Sequence, residues 1–194
     1  MKYRIDLEVE SSQEWIQAVM DDFDSFLMDH ANCERKASAM AMSFVAKYPD
    51  RTEIIPELIE TAIEELDHFR DVYKFMEERN IQLPAVIGED VYVKKLLDGC
   101  RSGRVERFMD RLLLASLVET RGAERFRLVY ENLTDGELKD FYHQLWASEA
   151  KHGEIFIKMA LHYFDETSVY ARLAEMTRHE AQVLSSLPIQ PALH

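Results

Sequence analysis

The sequence predicts an all-α protein: a bundle of four long helices with a long crossover between the second and third, a short N-terminal helix and an extra C-terminal helix. Three observations lead there. Gly (6) and Pro (5) are scarce among 194 residues, and long stretches contain neither. Four of those stretches repeat apolar residues every three or four positions, the period of a helix with one buried face. Hydrophobic residues make up 47% of the chain, enough for a globular core, and the length suits a single domain spanning 1–194.

Ser11 or Ser12, with Glu14 in the first turn, caps a short opening helix. A long helix follows at roughly 22–47, stopped by Pro49, with Leu27, Ala31, Glu34, Ala37/Ser38 and Ala41 on one face. Asp50 and Glu53 resemble a capping box for a second long helix, roughly 52–79, which tolerates Pro56 in its first turns. Its apolar stripe is Leu58, Ala62, Glu65, Phe69, Val72 and Met76. Asn80 to Gly103 carries Pro84, Gly88 and Gly99 and a short helical stretch near 89–98, which reads as a crossover and not a hairpin loop. The third long helix, about 104–132, aligns Leu112, Ala115, Glu119, Ala123 and Phe126. Thr134 to Glu137 forms a capping box for the fourth, about 135–164, with Phe141, Leu145, Glu149, His152 and Phe156 in register. A last helix, about 168–187, ends before Pro188.

Inside these stripes sits a repeated polar pattern. Glu65/His68 and Glu149/His152 are two Glu-x-x-His pairs, and Glu34 and Glu119 precede them by 31 and 30 residues. Positions i and i+3 share a helix face, so each pair can grip one metal ion. One such pair means little in so acidic a chain, where exposed helix polars are the plainer reading. Here both pairs, and both upstream glutamates, lie on apolar stripes. Four carboxylates buried without counter-charge would be prohibitively costly. Two Glu-x-x-His helices plus a glutamate from each of two more make the six-ligand box of ferritin-like di-iron and di-manganese proteins. The donor set is oxygen-rich with two imidazoles, which suits iron or manganese better than zinc or copper. Glu65 and Glu149 are expected to bridge, with Glu34 and His68 on one ion and Glu119 and His152 on the other. Glu64 and His30 are candidates to hydrogen-bond the ligands from outside. Asp140/His143 has similar spacing but no partner glutamate, and reads as a non-ligand pair.

The formal charge of −13 argues against nucleic acid as a partner. The charge is uneven, however. Lys94, Lys95, Arg101, Arg104, Arg107, Arg111, Arg121, Arg125 and Arg127 face only five acids between residues 94 and 127, a local +4. Ordinary surface arginines paired with Glu106, Asp110 and Glu124 are the simpler reading of that stretch. The longest uninterrupted apolar run, Leu112 to Ala115, is far shorter than a membrane span, and the N-terminus has no apolar signal core, so a cytoplasmic protein is expected. Cys33 and Cys100 match no zinc or CxxC pattern and read as free thiols.

The residues around the ligands go further than a generic box. FLMDHANCERKASAMAMSFVAKYPDR around Glu34, IEELDHFRDVYKFMEERNI around Glu65, DRLLLASLVETRGAERF around Glu119 and WASEAKHGEIF around Glu149 resemble the bacterial tRNA-(2-methylthio-N6-isopentenyladenosine) hydroxylases over nearly the whole chain. The resemblance implies a ferritin-like fold and a non-haem di-iron monooxygenase that hydroxylates the isopentenyl group of the modified adenosine beside the tRNA anticodon. It implies two Fe ions held by Glu34, Glu65, His68, Glu119, Glu149 and His152, with O2 as co-substrate. The chain has no flavin, haem or iron–sulfur motif, so electrons come from an external reductase or ferredoxin. With tRNA as the partner, the basic stretch becomes a phosphate-binding rim: Arg101, Arg104, Arg107 and Arg111, then Arg121, Arg125 and Arg127, with Lys94 and Lys95 as auxiliaries. Stacking candidates are Tyr92 and Phe108. Iron storage as in bacterioferritin, or peroxide chemistry as in rubrerythrin or manganese catalase, are the competing readings. A storage shell would contain many subunits, whereas a monomer or small oligomer is expected here. A helical interaction module without metal would leave the buried carboxylates unexplained.

Overall fold

A computed structural model of the chain describes residues 3, 5–85 and 88–194. The described residues form seven α-helices and no strand: α1 (Gln13–Asp21), α2 (Phe23–Lys47), α3 (Ile55–Glu78), α4 (Val91–Asp98), α5 (Arg104–Asn132), α6 (Glu137–Tyr163) and α7 (Glu166–Ser186). None of these helices is long and apolar enough to cross a membrane. The chain divides into two compact units. One is built on α2 and α3 and covers Gln17–Gly88 with Gln190–Leu193; the other is built on α4 to α7, with the N-terminal segment to Ile16 and His194.

In the first unit α2 and α3 pack along their length. Asp22 caps α2, its side chain accepting from the Ser25 N–H at 3.2 Å. Helix α2 ends at Lys47 with Tyr48 as its C-cap, just before Pro49, as the sequence predicts. Phe26, Leu27, Ala31, Ala41 and Phe44 are buried on α2, and Leu58, Ala62, Val72 and Met76 on α3. The Ser38 hydroxyl donates to the Ala62 carbonyl at 2.8 Å and ties the two helices near mid-length. Helix α3 starts at Ile55, three residues later than predicted; Ile54 provides no side-chain cap, and Pro56 lies in the first turn. Its far end is a Schellman turn. Asn80 takes φ +59°, its N–H bonds the Glu77 carbonyl, and the Ile81 N–H reaches back to Met76.

In the second unit α5 pairs with α6, and α7 packs on α4, α5 and α6. Asp90 caps α4, accepting from the Val93 N–H at 2.9 Å, and Asp165 caps α7, accepting from the Ser168 N–H at 3.0 Å. Helix α7 therefore starts two residues before the predicted Ser168. Helix α6 also departs from expectation. It begins at Glu137 behind Gly136, whose φ of +143° suits glycine, and the Thr134–Glu137 capping box does not form.

Two features hold this unit together. The first is a buried ion network. Arg121 and Glu180 are both fully buried; Arg121 Nε donates to Glu180 Oε1 at 2.9 Å, and Tyr92 Oη donates to the same oxygen at 2.9 Å. Arg121 also reaches the Val9 carbonyl at 2.7 Å and Glu124 at 3.1 Å. One guanidinium thereby joins α4, α5, α7 and the N-terminal segment. Burial pushes the Tyr92 phenol well up, with the Glu180 charge adding to it. Burial and the neighbouring Arg121 charge bring the Arg125 guanidinium down to about 10. Arg125 lies over the Trp15 ring at 4.5 Å and donates to Ser11 Oγ. The second feature is a close approach of α5 and α6. Ser116 Oγ donates to the Gly153 carbonyl, and Thr120 Oγ1 donates to the Ser116 carbonyl at 2.7 Å. A Cβ at Gly153 would lie 2.7 Å from Thr120 Oγ1, so only glycine lets the helices meet this closely without a shift.

Each feature gives a measurable expectation. Glu180→Ala strands a buried arginine and should cost about 3–5 kcal/mol in urea unfolding. Gly153→Val should cost about 1–3 kcal/mol by overpacking. Thr120→Ala should restore part of the loss in the double variant, which thermal melts of the three proteins would show.

Candidate metal centre

Sequence periodicity puts Glu34 and Glu65 at positions that apolar residues would otherwise fill, and the α2/α3 pair brings them together. Both are buried, as are Glu119 and Glu149 of the other unit, at 3%, 1%, 6% and 2% exposure in that order. His68, one turn after Glu65, places Nδ1 3.4 Å from Glu65 Oε2 and 3.7 Å from Glu34 Oε2. One ligand atom from each of Glu34, Glu65 and His68 lies within 4.8 Å of the others. His30, four residues before Glu34, is fully buried with Nε2 2.6 Å from Glu34 Oε1. The expectation that His30 supports a ligand from outside therefore has a direct contact behind it. Glu64 is half-buried.

The second unit repeats the arrangement on α5 and α6. Glu119, Glu149 and His152 also offer ligand atoms within 4.8 Å of one another, and His152 Nδ1 is 3.3 Å from Glu149 Oε2. His152 is fully buried. Two of the residues at the close helix approach directly follow candidate ligands in sequence: Thr120 after Glu119, and Gly153 after His152. The contact that sets the spacing of α5 and α6 therefore also sets this triad. The small residues after Glu119 and His152 were the available signal, and periodicity alone did not pick them out.

The two triads have the same composition, two carboxylates and one imidazole. Donor atoms around a single ion at about 2 Å stand roughly 3–4 Å apart, so the observed spacings fit a metal. The chemistry fits as well. Two carboxylates this close and this buried repel each other, and a cation removes both the repulsion and the desolvation cost. The oxygen-rich set favours a hard or borderline ion.

The basic stretch separates into different environments. Arg101 reaches buried Asp110 through Nε and through Nη2 at 2.6 Å, and Arg172 binds the same carboxylate at 2.9 Å. Burial raises the Asp110 pKa, but the bonds from Arg101 and Arg172 outweigh it and hold the group below the usual range. Arg104 is exposed at the start of α5, and Arg107 and Arg111 are half-buried one and two turns on. Lys94 pairs with Glu89 at 2.7 Å, and Lys95 reaches Ser186 Oγ at 3.0 Å. Arg121 and Arg125 are buried, which corrects their expected place on a phosphate-binding rim: their charges are spent on Glu180, Glu124 and Trp15. Arg127 pairs with Glu131. Tyr92 and Phe108 are core residues and not stacking platforms. His143 is exposed against the Tyr130 ring, outside both triads, as the non-ligand reading requires. Cys33 and Cys100 are free thiols.

Comparison with known proteins bears on what these triads serve. The model of the family described as tRNA-(MS2IO6A)-hydroxylase (MiaE) matches residues 3–194. The tRNA 2-(methylsulfanyl)-N(6)-isopentenyladenosine(37) hydroxylase of Pseudomonas putida is 36% identical over 177 residues, covering 91% of this chain and 84% of that protein. The Salmonella typhimurium protein of the same name is 25% identical over 229 residues, covering 93% of this chain and 84% of its own. Among solved structures, protein 43 with aldehyde deformylating oxygenase activity from Synechococcus matches with a TM-score of 0.91 and 28% identity, covering 97% of this chain and 94% of its own. The fold class is all-α and ferritin-like. Matched over nearly its whole length, the chain belongs to the tRNA-(MS2IO6A)-hydroxylase (MiaE) family.

Proposed function

We propose that this chain is a non-haem di-iron monooxygenase that uses O2 to hydroxylate the isopentenyl group of 2-methylthio-N6-isopentenyladenosine next to the tRNA anticodon. The observation that carries the reading is the pair of buried Glu, Glu, His triads on α2/α3 and α5/α6, in a chain matched by the hydroxylase family across residues 3–194. In this reading Glu34, Glu65 and His68 are the ligands in one unit, and Glu119, Glu149 and His152 those in the other.

Acid–base side chains cannot activate an unactivated methyl C–H bond; bound iron would supply the two-electron reduction of O2 that the reaction needs. In balance, the methyl group, O2, two electrons and two protons give the primary alcohol and water. The electrons come from an external reductase or ferredoxin. The protein's own contribution is to hold charge where water is excluded. The same helices bury Leu27, Ala31, Leu58 and Ala62 in one unit and Leu112, Ala115, Leu145 and Phe156 in the other, on the faces that carry the carboxylates. Such walls shield the reacting site from bulk solvent and keep the ligands in fixed rotamers.

For tRNA, the exposed start of α5 is the best-placed cationic surface, with Arg104 and then Arg107 and Arg111 along the helix. Arg101, Lys94 and Lys95 lie on the preceding segment as further phosphate contacts. The protein acts in the cytoplasm as a monomer or small oligomer.

Iron-loaded protein incubated with isopentenylated tRNA, a reductant and O2 should add one oxygen atom to the modified adenosine, read by nucleoside mass analysis. Glu149→Ala should abolish the gain while the fold persists. Two irons bound with no oxygen added, under a competent donor, would move the function to iron oxidation or peroxide chemistry. Replacing Arg104 and Arg107 together with alanine should weaken tRNA binding and flatten the salt dependence by about 1.5–2 in log–log slope, with iron content unchanged. An unchanged slope would put the RNA surface elsewhere.

A further inference from the structure

The two triads match in composition but differ one turn before their first glutamate. Four residues before Glu34 stands His30; four residues before Glu119 stands Ala115. Both positions lie on the buried face of their helix. A methyl group donates nothing, so the second half cannot repeat from that position what His30 does in the first.

His30 Nε2 lies 2.6 Å from Glu34 Oε1, with both side chains buried. A carboxylate only accepts, so Nε2 carries the hydrogen of this bond. It is short, as expected when the acceptor is charged and water is absent. The other Glu34 oxygen, Oε2, lies on the His68 side, 3.7 Å from Nδ1. The two oxygens therefore have separate assignments: Oε1 to the His30 donor, Oε2 toward the imidazole of the triad. The Phe26 ring, 5.9 Å from that of His30, packs beside it and limits its rotation.

From this geometry we infer that His30 is a positioning residue: it holds Glu34 through Oε1 so that Oε2 is presented to the ion, and so raises the affinity of the Glu34/His68 subsite. This rests on the di-iron reading above. A ligand held by an outer donor loses little freedom on binding, and removing such a donor typically costs 10–100-fold in metal affinity. The effect should fall on one ion of the two.

The test is stepwise Co(II) titration of the apo-protein, followed by visible absorption, with circular dichroism to check the fold. His30→Leu removes the donor at similar volume, and His30→Gln returns an amide N–H near the position of Nε2. Expected for the wild type are two ions per chain. In His30→Leu one binding step should weaken by about 10–100-fold with an altered Co(II) spectrum, while the other step is retained. His30→Gln should recover most of the loss. Wild-type affinities and spectrum in His30→Leu would overturn the inference while leaving the metal pair in place. So would a loss that His30→Gln fails to repair, which would make His30 a ligand or a packing residue. A wild type that binds no pair of ions would remove the di-iron reading itself, and the inference with it.

Discussion

Carboxylates buried on apolar helix faces are the constraint on which the rest of this structure depends. Glu34, Glu65, Glu119 and Glu149 occupy positions in stripes otherwise made of leucine, alanine, valine and phenylalanine. Helices pack because such stripes meet, and packing here forces like charges to within a few ångströms of each other. Desolvating one carboxylate costs several kcal/mol even after relaxation, on the order of the net stability of a whole domain. A chain that does this four times carries a desolvation cost that a bound cation would offset.

The buried acids elsewhere are handled differently. Glu180 meets Arg121, and Asp110 meets Arg101 and Arg172. In these clusters the counter-charge is part of the chain and joins segments distant in sequence, so the network acts as a fastening. In each triad two carboxylates and an imidazole bring ligand-type atoms within 4.8 Å of one another. The contrast separates acids paired with arginines inside the fold from the glutamates proposed as ion ligands, although all are buried to a similar degree. Two arginines of α5 are drawn into such fastening: Arg121 meets Glu180, and Arg125 lies over Trp15.

A ferritin-like frame does not select a substrate. A solved relative at TM-score 0.91 is described by aldehyde deformylating oxygenase activity, while the curated relatives are tRNA hydroxylases. The same helical frame thus accompanies different named activities, and what separates them lies in surface and access, not in topology. That is why family membership, together with the site, carries the substrate proposal, and why the helix pattern alone would not.

The sequence by itself determined the helices and the ligand candidates, because both follow from local periodicity. A 3.6-residue repeat can be read from neighbouring positions, and a glutamate on an apolar stripe is visible there without knowing the partner helix. Helix starts were less legible: α3 begins at Ile55, later than the Asp50/Glu53 spacing suggests, and α6 begins behind a positive-φ glycine without the Thr134–Glu137 capping bond. What only the tertiary structure decided were pairings across long separations. Arg121 looked like a surface cation because its partner, Glu180, lies 59 residues away. Arg125 is held by Ser11, 114 residues distant. Ser116, Thr120 and Gly153 became meaningful only once α5 met α6. Burial of a charge is a property of two segments at once, and no local pattern contains the second segment.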